Sequence, residues 1–212
     1  MGRPRILLAD DHAMVVEALR KLLDSEFEIV GTVADGLALL AAAKELKPDA
    51  IVLDIGMPQM DGMDAGRQLK RLLPGTKLIV VTMSEDWELA AQSLRSWASG
   101  YLLKKSAGSE LVKAVWEALK GGSYVTPRIA QHLVDHFIRD PQLDHNKDLT
   151  PRQREVLQLL AEGRTMTETA IILHVSRRTI AFHKYRIMEE FDLKTNTDLV
   201  RLAIREGIVP PR

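Results

Sequence analysis

The chain contains no cysteine, which excludes a disulfide framework and any thiolate metal site. No apolar stretch reaches the roughly 20 residues that a membrane-spanning helix needs. The apolar run in the opening MGRPRILLADD is too short for a secretory signal. These absences lead to the expectation of a soluble, cytoplasmic protein with no membrane partner. Net charge is also lacking, because 29 basic residues balance 29 acidic ones. The balance is uneven along the chain. Residues 1–146 carry 17 Lys and Arg against 20 Asp and Glu, and residues 147–212 carry 12 against 9, so a mildly basic module is expected at the C-terminal end.

What is present is ordinary globular material, 46% hydrophobic and 27% charged over 212 residues, enough for one large or two small domains. Short apolar runs rich in β-branched residues occur at RILLA (5–9), EIVGTV (28–33), AIVLD (50–54), KLIVVT (77–82) and SGYLL (99–103). Helical spacing fills the gaps, as at Val15, Val16, Leu19, Leu22 and Leu23, and again at Leu111, Val115 and Leu119. Nearly continuous apolar strands alternating with helices predict a parallel sheet covered on both faces. The expected fold is therefore α/β, a doubly wound five-stranded parallel sheet over residues 1–122. GGSYVTP (121–127) punctuates the chain, and Thr126 is expected to cap a short amphipathic helix. RDPQLDHNKD (139–148) is polar and aperiodic, so residues 123–148 are read as a linker with a short helix. Residues 149–212 show four helix starts, with capping-box spacing at Thr150–Gln153 and Thr165–Glu168, an opening serine at Ser176 and a cap at Thr195. A small all-α, four-helix, helix-turn-helix domain is expected there.

In a doubly wound sheet, sites form at the carboxyl ends of the strands. Asp10 and Asp11 follow the first strand and Asp54 ends the third, its neighbour. Three converging carboxylates raise one another's pKa unless a cation compensates them, and Mg2+ suits carboxylates, water and phosphate oxygens. Thr82 ends the fourth strand and Lys104 follows the fifth. A lone Asp after a strand is often only a helix cap, and a lone Lys is often solvated. Five such residues at the ends of four strands instead point to phosphoryl transfer onto a carboxylate.

LLADDHAMVVEAL, IVLDIGMPQMDG, LIVVTM and SGYLLKK resemble the receiver domain of bacterial two-component response regulators, which has a flavodoxin-like fold. The resemblance covers residues 5–120. It implies Asp54 as phospho-acceptor, Asp10 and Asp11 as Mg2+ ligands beside Asp54, and the backbone carbonyl of Gly56 as a further ligand. It also implies Thr82 and Lys104 as phosphoryl-binding residues, Tyr101 as the aromatic whose rotamer reports activation, and Pro58 and Gly62 as parts of the loop after the acceptor. Trp97, where a glycine is usual, and Met83, where alanine is common, depart from the pattern. They are read either as parts of an unusual switching surface or as packing residues. An aspartate-nucleophile phosphohydrolase stands as an alternative, but such enzymes place an acid two residues past the nucleophile. Gly56 stands there and cannot transfer a proton, so the protein is read as a non-enzyme.

LTPRQREVL, LLAEG, the Ser176–Thr179 turn, His183 and TDLV resemble a LuxR-type helix-turn-helix over residues 149–204, and the combination resembles the NarL/FixJ group. On a helical wheel, Ile180, Ile187 and Phe191 form a core stripe, with Met188 beside it and His183 at its edge. Arg178, Phe182, Tyr185 and Glu189 share the opposite face. The second helix of this motif reads bases with its N-terminal part, which singles out Arg178, Ala181, Phe182 and Tyr185. Arg177, Lys184 and Arg186 would meet phosphates. Ala181 and Glu189–Glu190 stand where basic residues are usual, and Thr169 where an apolar one is. A protein-binding output therefore stays open beside DNA binding. The resemblance implies a transcriptional regulator that takes a phosphoryl group from a sensor histidine kinase, whereupon the receiver unmasks the recognition helix and a homodimer binds double-stranded DNA. The apolar stripe of the last helix (Leu199, Leu202, Ala203, Ile204) is expected either to form the dimer surface or to close the four-helix core.

Overall fold

The computed structural model describes residues 2–139 and 149–210. The chain divides into two units, Met1–Ile138 and Arg139–Arg212. In the first unit strands and helices alternate as β1 (Arg5–Ala9), α1 (Ala13–Leu23), β2 (Glu28–Val33), α2 (Gly36–Leu46), β3 (Ala50–Leu53), α3 (Gly62–Leu72), β4 (Lys77–Thr82), α4 (Trp87–Ser96), β5 (Gly100–Leu103), α5 (Ala107–Leu119), β6 (Tyr124–Val125) and α6 (Pro127–Arg139). A short 3-10 turn over Lys104–Ser106 joins β5 to α5. All pairings are parallel, in the order β2-β1-β3-β4-β5-β6. The strands β3 and β5 are buried at every position, as a sheet with helices on both faces requires. Alternate residues Ile6, Leu8, Ala50, Val52, Ile79, Val81 and Leu102 form one core with Leu19 and Leu23 of α1 and with Leu111, Ala114, Val115 and Ala118 of α5.

The expected five strands are corrected to six. Gly100 pairs with Tyr124, and Tyr101 with Val125, so part of the expected linker extends the sheet. Thr126 stands at the head of α6 as expected, but its hydroxyl does not supply the cap. The Thr126 hydroxyl accepts a hydrogen bond from the Leu103 N–H at 3.2 Å and donates to Glu110 at 2.7 Å, while its carbonyl receives the first N–H groups of α6. A buried hydroxyl goes where polar groups lack partners, and here the end of β5 offers one. The part of the linker at 140–148 lies outside the described residues.

The second unit contains α7 (Pro151–Ala161), α8 (Met166–Ile172), α9 (Arg177–Glu190) and α10 (Asn196–Arg205). Thr150 and Thr165 form the capping boxes expected of them, Thr195 forms a third with Asp198, and Ser176 accepts from the Thr179 N–H. The hydroxyl of buried Thr169 donates to the Thr165 carbonyl at 2.9 Å, which explains how this helix accommodates a polar residue at an apolar position. Leu199, Leu202 and Ala203 pack with Leu149, Leu157 and Ile187. Leu199, Leu202 and Ala203 therefore close the four-helix core and are not available as a dimer surface, while Ile204 is half-buried.

Candidate functional site

The register of the sheet assembles the first site. Ala9 lies opposite Leu53, and the Asp54 N–H donates to the Ala9 carbonyl at 2.8 Å, so the carboxylates after β1 and β3 stand side by side. Thr82 lies opposite Leu103, which brings the Lys104 stem to the same edge. The Lys104 Nζ is 2.6 Å from Asp10 Oδ2 and 2.8 Å from Asp54 Oδ2, with all three side chains less than a tenth exposed. Burial alone would lower the pKa of this ammonium. The hydrogen bonds and charges of Asp10 and Asp54 outweigh that and raise it above the ordinary lysine value.

Asp11 is exposed beside this pair, and His12 joins it. The His12 Nδ1 lies 2.8 Å from Asp11 Oδ1 and 3.2 Å from Asp10 Oδ1. The ligand atoms of Asp10, Asp11, His12 and Asp54 all fall within 4.8 Å of one another. An oxygen-rich set of this kind fits a hard divalent cation. Sequence reasoning missed His12. The available signal was its place directly after two acids, at the turn into α1, where the backbone must fold back over them and its N–H bonds Asp10 at 2.9 Å. Gly56 is exposed two residues past the acceptor candidate.

The loop after Asp54 is held by close backbone approach. A Cβ on Gly62 would stand 2.2 Å from the Asp54 carbonyl oxygen and 2.8 Å from the Ile55 Cα. Backbone atoms cannot swing aside, so Gly62→Ala is expected to cost about 2–3 kcal/mol, as overpacking does. Urea unfolding of the full chain checks this, and an unchanged midpoint would contradict the packing.

A line of contacts leaves this edge. The Thr82 hydroxyl accepts from the Ser84 N–H at 3.2 Å, and the Ser84 carbonyl accepts from the Tyr101 phenol at 3.2 Å. Tyr101 is fully buried, and burial pushes its pKa well up. Next in sequence, Glu85 pairs with Lys105 and, at 2.8 Å, with Arg128 of α6. The Lys105 hydrogen bond, helped by the charge of Arg128, holds Glu85 below the usual carboxylate range. Trp97 is buried, and its ring occupies the space where a Cβ on Gly66 would come within 2.6 Å of it. Trp97 is thus a packing residue matched by a glycine on α3. Met83 is 70% exposed.

The second site is α9. Its core face is Thr179, Ile180, His183 and Ile187, all buried, so His183 lies inside the stripe rather than at its edge. Arg177, Arg178 and Tyr185 are exposed, and Ala181, Phe182, Lys184 and Arg186 half-buried. Phe182 is less open than a wheel suggests. Its ring meets His183 edge-on at 4.9 Å, and the Arg186 Cζ lies 6.0 Å from its centroid. Lys184 lies over the Tyr185 ring. The two acids at the helix end differ. Glu189 is exposed, whereas Glu190 accepts from Arg186 Nε at 2.8 Å and from Gln153 Nε2 at 2.9 Å.

Comparison with known proteins finds a family for each part of the chain. Residues 6–116 match the response regulator receiver domain, and residues 147–203 match the bacterial regulatory proteins of the luxR family. The chain is 32% identical to the oxygen regulatory protein NreC of Staphylococcus carnosus, an alignment spanning 97% of this chain and 99% of that one. It is similar to RcsB from Salmonella enterica serovar Typhimurium solved bound to a promoter in the presence of phosphomimetic BeF3−, with a TM-score of 0.63 and 28% identity over 94% of this chain and 97% of that one. It is similar also to RcsB in a structure of two dimers bound to two parallel DNAs, with a TM-score of 0.60 and 28% identity over 94% and 97%.

Proposed function

Because this chain belongs to the response regulators that join a receiver domain to a LuxR-type DNA-binding domain, we propose that it is a transcriptional regulator switched by a phosphoryl group on Asp54. The observation that carries the reading is the Lys104 ammonium bridging Asp10 and Asp54 at a strand edge that also holds Asp11 and Thr82. The Asp54 carboxylate forms a P–O bond while the P–N bond of a phosphorylated kinase histidine breaks and the imidazole departs. Asp10, Asp11, Asp54 and the Gly56 carbonyl would hold Mg2+, which when bound supplies positive charge against the phosphoryl oxygens. Lys104 keeps one ammonium proton toward the acceptor oxygen and follows the new charge. The Thr82 hydroxyl already accepts from Ser84, so its own proton is the one directed to a phosphoryl oxygen. Movement of Thr82 then reaches Ser84, Tyr101 and, through Glu85 and Arg128, α6.

The output is DNA binding by α9, with Arg178, Ala181, Phe182 and Tyr185 toward base edges and Arg177, Lys184 and Arg186 toward phosphates. The RcsB dimers seen on DNA support a homodimer as the bound form, and the receiver implies a sensor kinase as partner. The test is selection from random genomic DNA fragments with and without a phosphodonor. Enrichment of a sequence, stronger with the donor, is expected. The absence of enrichment in both states would replace DNA by a protein target.

A further inference from the structure

Two glutamates at the end of a helix that meets phosphates should repel them, yet the structure gives the pair different surroundings. Glu189 is exposed to solvent. Glu190 is held from the neighbouring helix α7. Its Oε2 accepts from Gln153, a residue only 1% exposed, whose own Oε1 accepts the Thr150 N–H in the capping box. A carboxylate anchored on so rigid a partner cannot swing away. Its other oxygen grips Arg186 Nε one turn earlier, and that guanidinium lies over the Phe182 ring.

We propose that Glu190 is a positioning residue for DNA recognition: it fixes Arg186 against Phe182, so that α9 gains sequence preference at the expense of bare affinity. The inference rests on the DNA-binding reading of α9. Two physical effects support it. A long side chain already held in one orientation loses less rotamer freedom on binding. A carboxylate beside the guanidinium also offsets its charge, which weakens the sequence-independent pull on any phosphate.

The experiment uses the full chain and two duplexes, one selected by the wild type from genomic fragments and one of random sequence. Glu190→Gln removes the charge and so weakens the hold of residue 190 on Arg186. Glu189→Gln removes a charge on the same turn without touching the network. Glu190→Gln should tighten binding to the random duplex, steepen the salt dependence by about one phosphate contact, and lower the ratio of selected to random affinity by about threefold, the scale of a half-exposed ion pair. Glu189→Gln should tighten binding to both duplexes alike and leave the ratio unchanged. Arg186→Gln leaves Glu190 bonded to Gln153 and should lower the ratio to a similar degree. In an Arg186→Ala background, Glu190→Gln should change the ratio no further. Equal ratio changes for the two glutamate variants, or an effect of Glu190→Gln that persists without Arg186, would overturn the inference while leaving DNA binding intact. A wild type that selects no sequence at all would remove the DNA-binding reading, and this inference with it.

Discussion

Asp54→Asn is expected to abolish phosphoryl incorporation from a small-molecule phosphodonor with Mg2+, where the wild type gains one phosphoryl group. Asparagine has nearly the same shape, but its amide oxygen lacks the charge that makes the carboxylate nucleophilic. The substitution should spare the fold. Lys104 keeps Asp10 at 2.6 Å as its counter-charge, so no buried ammonium is left alone. Intact-mass spectrometry of both proteins, with thermal unfolding as the control, reads the outcome. The geometry makes the test sharp, because three other candidate ligands crowd the same edge. Asp11 is exposed and could react with a donor on its own, whereas Asp54 is buried and accepts a hydrogen bond from Lys104. Labelling that survives in Asp54→Asn at wild-type level would move the acceptor elsewhere.

Lys104→Met is expected to destabilise the chain by about 3–5 kcal/mol at neutral pH in chelator, the cost of leaving buried charges without their partner. Here the ammonium separates two carboxylates that are themselves 2% and 7% exposed, so solvent does little to screen them. The dependence on pH follows from the raised pKa of Lys104. Its contribution is complete below the ordinary lysine value of about 10.4, and is lost as pH rises through the higher folded-state value. The wild type and Lys104→Met should therefore differ by a constant amount from neutrality to about pH 10, and converge only above it. Added Mg2+ should narrow the gap at neutral pH, because a bound cation supplies the missing charge and stabilises only the folded state. Urea unfolding across this pH range, with and without Mg2+, checks each point. Equal stabilities at neutral pH without metal would refute the electrostatic account.

Much of the site is legible in the amino-acid sequence. Asp10, Asp54, Thr82 and Lys104 are recognisable because a strand end is marked locally, by an apolar run that stops at a polar residue. The βαβ pattern then dictates which ends are neighbours. Caps were legible for the same reason. Thr150, Thr165 and Thr195 each bond a backbone N–H three residues on, so four residues contain the whole interaction. Thr126 has the same local signature but a different outcome, because Leu103 and Glu110, 23 and 16 positions away, compete for its hydroxyl.

The features that were not legible share that dependence on distance. Tyr124–Val125 is too short to show a period, and it becomes a strand only because the edge of β5 offers backbone partners. Trp97 reads as an oddity until Gly66 is seen beneath it. The amino-acid sequence alone determined the α/β unit followed by helices, the positions of five strands, and which acids, hydroxyl and ammonium stand at their ends. Periodicity and capping are properties of a few consecutive residues. Only the tertiary structure decided the sixth strand, the burial of the α10 stripe and the opposite fates of Glu189 and Glu190. Each of these turns on residues distant in sequence, as Tyr124 is from Gly100, Leu199 from Leu149 and Glu190 from Gln153, and only the folded chain brings them together.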